Sequence, residues 1–295
     1  MVLADAAETE RPPRLSLAAL FLKFLRFGAL AFGGPIAQIA MIRRELVEEE
    51  RWISGARFNR LLAVMQALPG PEAHELCVHM GMLARGRLGG MLAGLGFMLP
   101  GFLLMLVAAW AYAALVAGRA AWSGAMLGLQ IVVVALIARA AQRIGGHVLE
   151  DLRLWLAAGL GFACTLAGAP FWIPLIAGGA ICLLERRPLA ATGVGLAAAL
   201  ALVLRSDPAE LAPLAQAAGQ QASVAALFLA GLKGGLLTFG GAYTAIPYLR
   251  ADTVGRGWLA DGAFLDGVAL ASVLPAPLII FGTFAGYVAG GLAGA

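Results

Sequence analysis

In the run Pro71-Glu72-Ala73-His74-Glu75-Leu76-Cys77-Val78-His79, three proton-active side chains fall at i, i+3 and i+7. On a helix, Glu72, Glu75 and His79 share one face. An acid in the first turn after a proline is favoured by the helix dipole alone, which suffices to explain Glu72. Glu75 and His79 lie further along an apolar stretch. A carboxyl and an imidazole there are suited to carrying protons, because histidine titrates near neutrality. The same run spells His-Glu-x-x-x-His, one residue too long for a zinc protease. His74 and His79 would point about 140° apart on a helix and cannot share one metal ion. His147 is the only other histidine. No phosphate-binding loop, nucleophile elbow or dinucleotide fingerprint occurs. No metal, cofactor or enzymatic activity is therefore expected, and any work must draw on an ion gradient or a partner ATPase.

Two cations form the second candidate group. Arg26 lies six residues before Phe32-Gly33-Gly34, and Lys233 six before Phe239-Gly240-Gly241. A cation inside a bilayer costs about 3 kcal/mol on insertion scales. Such a residue snorkels, finds an internal partner, or does work. Lys23, nearer the expected membrane surface, is read as snorkelling. Arg26 and Lys233 sit deeper, and together they would offset a doubly negative tetrahedral oxyanion. Gly33-Gly34-Pro35 interrupts the helix, because proline lacks a donor and paired glycines weaken the helix. The exposed helix N-terminus would attract an anion. A break that only aids packing is the alternative. Recurrence at Gly240-Gly241 favours the binding reading. Gln38, Thr238, Tyr243 and Thr244 could donate further hydrogen bonds, or simply bond between helices.

These residues belong to a duplicated unit. Arg26, Phe32-Gly33-Gly34 and Arg43 recur 207 positions later as Lys233, Phe239-Gly240-Gly241 and Arg250. Trp52, Phe58 and Leu68-Pro-Gly-Pro71 recur at an offset of 206 as Trp258, Phe264 and Leu274-Pro-Ala-Pro277. The chain is 61% hydrophobic and 13% charged, against about 25% charged in soluble domains. Continuous apolar runs without period-two alternation imply helices rather than a barrel. The expected fold is all-α, a polytopic integral membrane protein of inverted repeats with broken helices. Its partner is the lipid bilayer. No basic face with interleaved aromatics marks nucleic-acid binding. Cys77, Cys164 and Cys182 sit in apolar stretches and read as buried small hydrophobes.

Spans are expected near 16–42, 58–84, 88–116, 122–138, 153–169, 171–185, 189–205, 223–249 and 264–293. Residues 1–15 form a cytoplasmic tail, 16–205 the first repeat with a connecting helix, 206–222 a linker, and 223–295 an incomplete second repeat. With the N-terminus inside, Arg85, Arg87, Arg250 and Arg256 are expected in the cytoplasm and the 43–57 loop outside, against the basic content of that loop. Seven crossings before the second copy make the repeats inverted, unless a glycine or proline break is a hairpin that never crosses. The short second copy suggests either a truncated chain or a second subunit, as homodimer or complementary partner, that supplies the remaining helices.

The run Phe24-Leu-Arg-Phe-Gly-Ala-Leu-Ala-Phe-Gly-Gly-Pro35 resembles the first signature of the chromate ion transporter family. Leu68-Pro-Gly-Pro71, Gly81 and Leu99-Pro-Gly101 resemble the next signatures. Phe239 to Arg250, with Gly257-Trp258-Leu259, resembles the start of the second half. The resemblance covers residues 16 to 295. It implies export of chromate across the bacterial inner membrane, driven by the proton gradient, with sulfate as a related anion. It also implies two halves of opposite orientation. Ala276 departs from the glycine usual at that place.

Overall fold

The computed structural model describes residues 12–166, 173–174, 177–179, 222–238 and 245–295. Among these, all regular structure is helical. Residues 12–133 and 222–295 form one compact unit, and those between 134 and 179 belong to another. The expected spans at 171–185 and 189–205, the linker, the N-terminal tail to residue 11, and Cys182 lie wholly or largely outside the described residues.

In the first unit, α1 (Leu17–Ala29) starts under Ser16, whose hydroxyl accepts the Ala19 N–H at 3.1 Å. It ends where Gly33 and Gly34 adopt φ of 86° and 75°, a region that favours glycine. The next helix, α2 (Gly34–Arg43), restarts behind Pro35 and runs into a π-helical segment, Arg44–Glu49. Ser54 caps α3 (Gly55–Ala67). The prolines of Leu68-Pro-Gly-Pro71 cannot donate to a helical ladder, so α3 stops with Leu68 extended, and α4 (Glu72–Ala111) follows.

A non-helical pair, Arg85 and Gly86, divides α4. Gly86 takes φ 64° and ψ −156°, accessible essentially to glycine alone. The chain folds back there, bringing Gly81 against Gly89 and His74 against Gly94. Residues 72–84 and 87–111 are thus two antiparallel helices. The second of these, the long arm, is about 37 Å long at 1.5 Å per residue and continues into a π-helical turn, Tyr112–Val116. Glu72–Val116 is the described stretch long and apolar enough to cross a membrane, and the long arm, with Pro100 inside it, is its longer helical piece.

The second copy repeats this frame. Helix α5 (Ala120–Val148) leaves the long arm, and α6 (Leu152–Leu166), in the other unit, begins under the Asp151 carboxylate, which accepts the Leu154 N–H at 2.9 Å. Back in the first unit come α7 (Val224–Leu236), α8 (Ala245–Thr253), α9 (Asp261–Val273), a 3-10 turn Leu278–Ile280 and α10 (Phe281–Gly290). Gly290 and Gly291 reproduce the backbone of Arg85 and Gly86, with Gly291 at φ 65° and ψ −156°. Gly286 lies against Gly294 as Gly81 lies against Gly89.

The expected single crossings at 16–42, 58–84, 223–249 and 264–293 are instead helical hairpins. Gly267, seven residues before Leu274, abuts the ring of Phe284, seven after Pro277, so α9 and α10 run back alongside each other. In the first copy Arg57, on α3, is near enough to His79 for its charge to act on the imidazole. Gly234 on α7 meets Leu249 on α8, and α1 reaches Glu45 through Lys23 and Arg26. A 13-residue helix such as α1 or α3 is about 20 Å long, too short for a hydrocarbon core of about 30 Å. Two of them in series satisfy a hydropathy window, which measures apolar length and not direction.

The repeats are inverted, and the long arm shows it directly. Residues 72–84 run from Gly94 toward the arm's beginning. Their counterparts run the other way, with Ala276 beside Gly101 and the Phe284 ring 5.0 Å from that of Tyr112. Two apolar clusters divide along the same line. Ala93 and Phe97 join Leu20, Phe24, Trp52 and Phe58, whereas Met98 to Tyr112 join Leu249, Phe264 and Phe281. The arm passes from one repeat to the other at Pro100-Gly101. Fold-back also moves the loops: residues 43–57 share an end with Arg85 and Arg87, and Arg250 and Arg256 lie at the other end. Relative to Arg85 and Arg87, both loops therefore lie at the end opposite to the one expected.

Candidate functional site

Hairpin tips from both repeats converge where the arm changes partners. Gln38, 1% exposed, donates from Nε2 to the carbonyls of Ala31 and Ala276, each at 3.0 Å. One of these lies in the first break of repeat one and the other in the second break of repeat two. Reciprocally, the Gly70 N–H donates to the Thr238 carbonyl at 2.8 Å. That bond joins the second break of repeat one to the end of α7 in repeat two. Gly101 packs on Pro275 and Ala276. The exchange follows from inversion: each repeat presents its breaks to those of the other.

Helix starts at this junction lack side-chain caps, as does the peripheral start of α9 at Ala260, whereas three other peripheral starts carry serine. Ser16, Ser54 and Ser223 cap α1, α3 and α7 with side-chain oxygens. At the junction, α2 begins at Gly33, α4 at Pro71, and the turn before α10 at Pro277, none with a side-chain cap from that residue. Each helix start leaves backbone N–H groups without intrahelical partners. Phe32, Gly33 and Ile36 are exposed, so the start of α2 is not sealed by protein. These ends carry partial positive charge with no cation present.

The two cations expected to face an anion are each paired. Arg26 Nη1 lies 3.3 Å from Glu45, and Lys233 Nζ 2.8 Å from Asp252. Lys23 also binds Glu45 at 2.9 Å and sits over the Phe27 and Trp52 rings, so it is held internally rather than snorkelling freely. Arg256 shares Asp252 at 3.4 Å. The Arg26 side chain is 64% exposed and that of Lys233 48%, so both keep an open face. They occupy opposite ends of the inverted pair. Glu45 and Asp252 stand at the same 207-residue offset as their partners, which is the signal that would have found them.

Gln38 and Thr238, expected to donate to an anion, use their donors inside the protein. Thr238 is buried, and its hydroxyl donates to the Gly234 carbonyl at 2.6 Å. Both residues fasten the junction, Thr238 through its backbone carbonyl. Gly33 and Gly34 form the start of α2 as expected. Gly240, Gly241, Tyr243 and Thr244 lie outside the described residues.

The proton-active face is placed at the junction's edge. Glu72 is buried, and its Oε2 has no hydrogen-bond partner among the described residues; the same holds for Glu75 Oε2 and His79 Nε2. Glu75 Oε1 fills the space beside Gly70, directly next to the contact with Thr238. Repeat two carries Leu278, Phe281 and Ala285 at these positions, all buried. A further buried acid, Asp266 on α9, was not singled out from sequence. A lone aspartate in an apolar run offers no spacing to read.

The family described as Chromate transporter matches residues 18–183 and 225–295. The chromate transport protein of Pseudomonas aeruginosa is 58% identical over 99% of this chain and 71% of its own length. A probable chromate transport protein of Synechococcus elongatus is 33% identical over 96% of this chain and 72% of its own. The chromate transport protein of Cupriavidus metallidurans is 31% identical over 98% and 72%. No solved structure matches the chain.

Proposed function

The chain belongs to the chromate transporter family of helical membrane proteins, and on that premise we propose that it is a multi-pass exporter of chromate across the cytoplasmic membrane. Chromate would bind where the hairpin tips meet. The observation that supports this site is the meeting of uncapped helix starts there: α2, α4 and the turn before α10 begin at glycine or proline, and the start of α2 is exposed. A tetrahedral dianion offers acceptors to the free N–H groups of such ends. Arg26 and Lys233, one toward each end, would draw the anion inward while Glu45 and Asp252 hold them in place.

Basic loops set the orientation. Arg43, Arg44, Arg51, Arg57, Arg85 and Arg87 lie at one end, and the positive-inside rule puts that end in the cytoplasm. Alternating access would come from rocking one repeat against the other, with the Gln38 and Gly70–Thr238 bonds breaking and reforming. Export has a ready drive. Each elementary charge crossing 100 mV is worth about 2.3 kcal/mol, so an inside-negative cell favours exit of a dianion by about 4.6 kcal/mol per 100 mV. Proton coupling would add to this through Glu72, Glu75 and His79, which carry unpartnered atoms along the helix from the junction, where Glu75 lies beside Gly70, toward Arg57.

Chromate flux into everted vesicles, with potential and pH gradient imposed separately, tests the proposal. Sulfate is added as a competitor, being a dianion of the same shape. Arg26→Gln and Lys233→Gln should each lower flux about tenfold, the equivalent of ~1.4 kcal/mol, at unchanged membrane insertion. Flux untouched by both variants would remove the cations from the pathway. A chain that inserts yet moves neither anion would be a subunit that works only in assembly.

A further inference from the structure

Two hydrogen-bonded links join the repeats at the junction, and they are counterparts. Gly70 and Ala276 share the 206-residue offset, Ala31 and Thr238 the 207-residue offset. Where Gly70 meets Thr238 the link is direct, a backbone N–H on a carbonyl at 2.8 Å. Where Ala276 meets Ala31, two carbonyls are presented instead. Gln38 Nε2 lies between them, 3.0 Å from each oxygen. The counterpart of Gln38 is Ala245, which is buried and has no side-chain donor.

One residue accounts for the difference. Leu68 and Leu274 leave their helices with nearly the same backbone, at ψ 155° and 152°. Gly70 then takes φ 147°, which favours glycine, and its N–H turns to Thr238. Ala276 has a Cβ and keeps a negative φ. Its N–H stays on the Leu274 carbonyl at 2.9 Å and is not offered to Ala31. Ala31 and Ala276 are 1% and 3% exposed, so without Gln38 two buried acceptors would lose their shared donor. A primary amide carries two N–H groups on one nitrogen and can serve both. Gln38 and Ala31 lie seven residues apart in one hairpin and move together. Ala276 belongs to the other repeat, so its bond is the one that stretches when the repeats part.

We propose that Gln38 is a positioning residue for transport. It latches one side of the junction by supplying the N–H that Ala276 does not turn outward. Each time the repeats separate, it releases Ala276 and keeps Ala31. The Gly70–Thr238 bond has no such swivelling member, because both partners are backbone. The effect on flux rests on the transport reading, whereas the interchange of Gln38 with a turned-out N–H does not.

The reporter is Ala31→Cys in a Cys77→Ala, Cys164→Ala, Cys182→Ala background. At 1% exposure, this position meets a small water-soluble thiol reagent only when the junction opens. Gln38→Ala should speed labelling about tenfold, the size of one buried hydrogen bond. Adding Ala276→Gly recreates on this side the combination of Ala245 and Gly70, and should return labelling to within about twofold of the starting rate. In everted vesicles, Gln38→Ala should lower maximal chromate flux about tenfold and leave the half-saturating concentration within about twofold. The double variant should recover that flux. Labelling unmoved by Gln38→Ala, or not restored by Ala276→Gly, would overturn the latch. A raised half-saturating concentration at unchanged maximal flux would mean that Gln38 holds the anion itself, which also overturns it. The expected labelling pattern without chromate flux by the unaltered chain would leave the latch standing and remove the transport reading. If Gln38→Ala fails to accumulate, accumulation of the double variant supports the interchange, and failure of both overturns it.

Discussion

The two repeats share a backbone frame and almost no chemistry. Hairpin breaks, the glycine turn at Gly86 and Gly291, and the ion pairs Arg26–Glu45 and Lys233–Asp252 recur in register. The proton-active face of Glu72, Glu75 and His79 occurs once, opposite Leu278, Phe281 and Ala285, and Asp266 occurs once, opposite Arg60. Packing differs as well. The long arm covers α1, with Leu20, Phe24 and Phe27 fully buried and Gly28 pressed on the Phe97 carbonyl. On α7, Phe228, Leu229 and Leu236 are exposed, and a Cβ added at Gly235 would meet no described residue within 4 Å. Under the proposed mechanism, symmetry of the frame would serve alternation between two faces, and asymmetry of the side chains would give that alternation a direction.

The largest effect should come from testing the packing difference. A Cβ at Gly28 would sit 2.3 Å from the Phe97 oxygen, an approach no rotamer relieves. Gly28→Val should cut the yield of folded protein more than tenfold, a loss of over ~1.4 kcal/mol. Gly235→Val should be nearly silent in the same measurement. Equal damage at both positions would show that a helix lies against α7 in the membrane just as the long arm lies against α1.

Next in size is the anion seat. Asparagine and aspartate tolerate positive φ better than other residues, and both cap helices. Gly33→Asp would place an anion of its own at the start of α2, with chromate flux expected to fall about tenfold; its Cβ would meet that of Ala37 at 2.9 Å, so folded yield should fall too, but less than for Gly28→Val. Unimpaired flux would exclude the start of α2 from the pathway. Glu72→Leu makes repeat one resemble repeat two. It should reduce the pH dependence of flux a few-fold and leave flux driven by potential largely intact. A pH dependence identical to that of the unaltered chain would take Glu72 out of proton coupling.

Much of the frame was legible because its markers are local. Phe-Gly-Gly and Leu-Pro-x-Pro break helices for reasons internal to a few residues, and both breaks appear where the residues put them in repeat one. Fold-back was not legible. Helices of 13 residues on either side of a break give the same hydropathy as one crossing, and their direction depends on contacts such as Gly267 with Phe284. Glu45 looked like one acid among several in a loop, since Glu48, Glu49 and Glu50 surround it. Reading Asp252 at the same offset would have marked both acids as partners of Arg26 and Lys233. The reach of Gln38 across 238 positions to Ala276 leaves no trace in local sequence.

The smallest predicted effect is also the cleanest control on the repeat register. Ser16 and Ser223 are equivalent caps. Alanine at either should destabilise by about 1 kcal/mol, because a cap acts within its own first turn whatever packs further along. Ser54 caps α3, but its counterpart Ala260 has no side chain to offer α9, although it already holds φ −68° and ψ 144°, close to the −70° and 154° of Ser54. Ala260→Ser should therefore stabilise the protein by up to about 1 kcal/mol, read as a rise in the unfolding midpoint in detergent. No gain, with Ser54→Ala costing the usual amount, would mean that the start of α9 is satisfied by something the start of α3 lacks. The frames of the two repeats would then diverge at the membrane surface as their chemistry does inside.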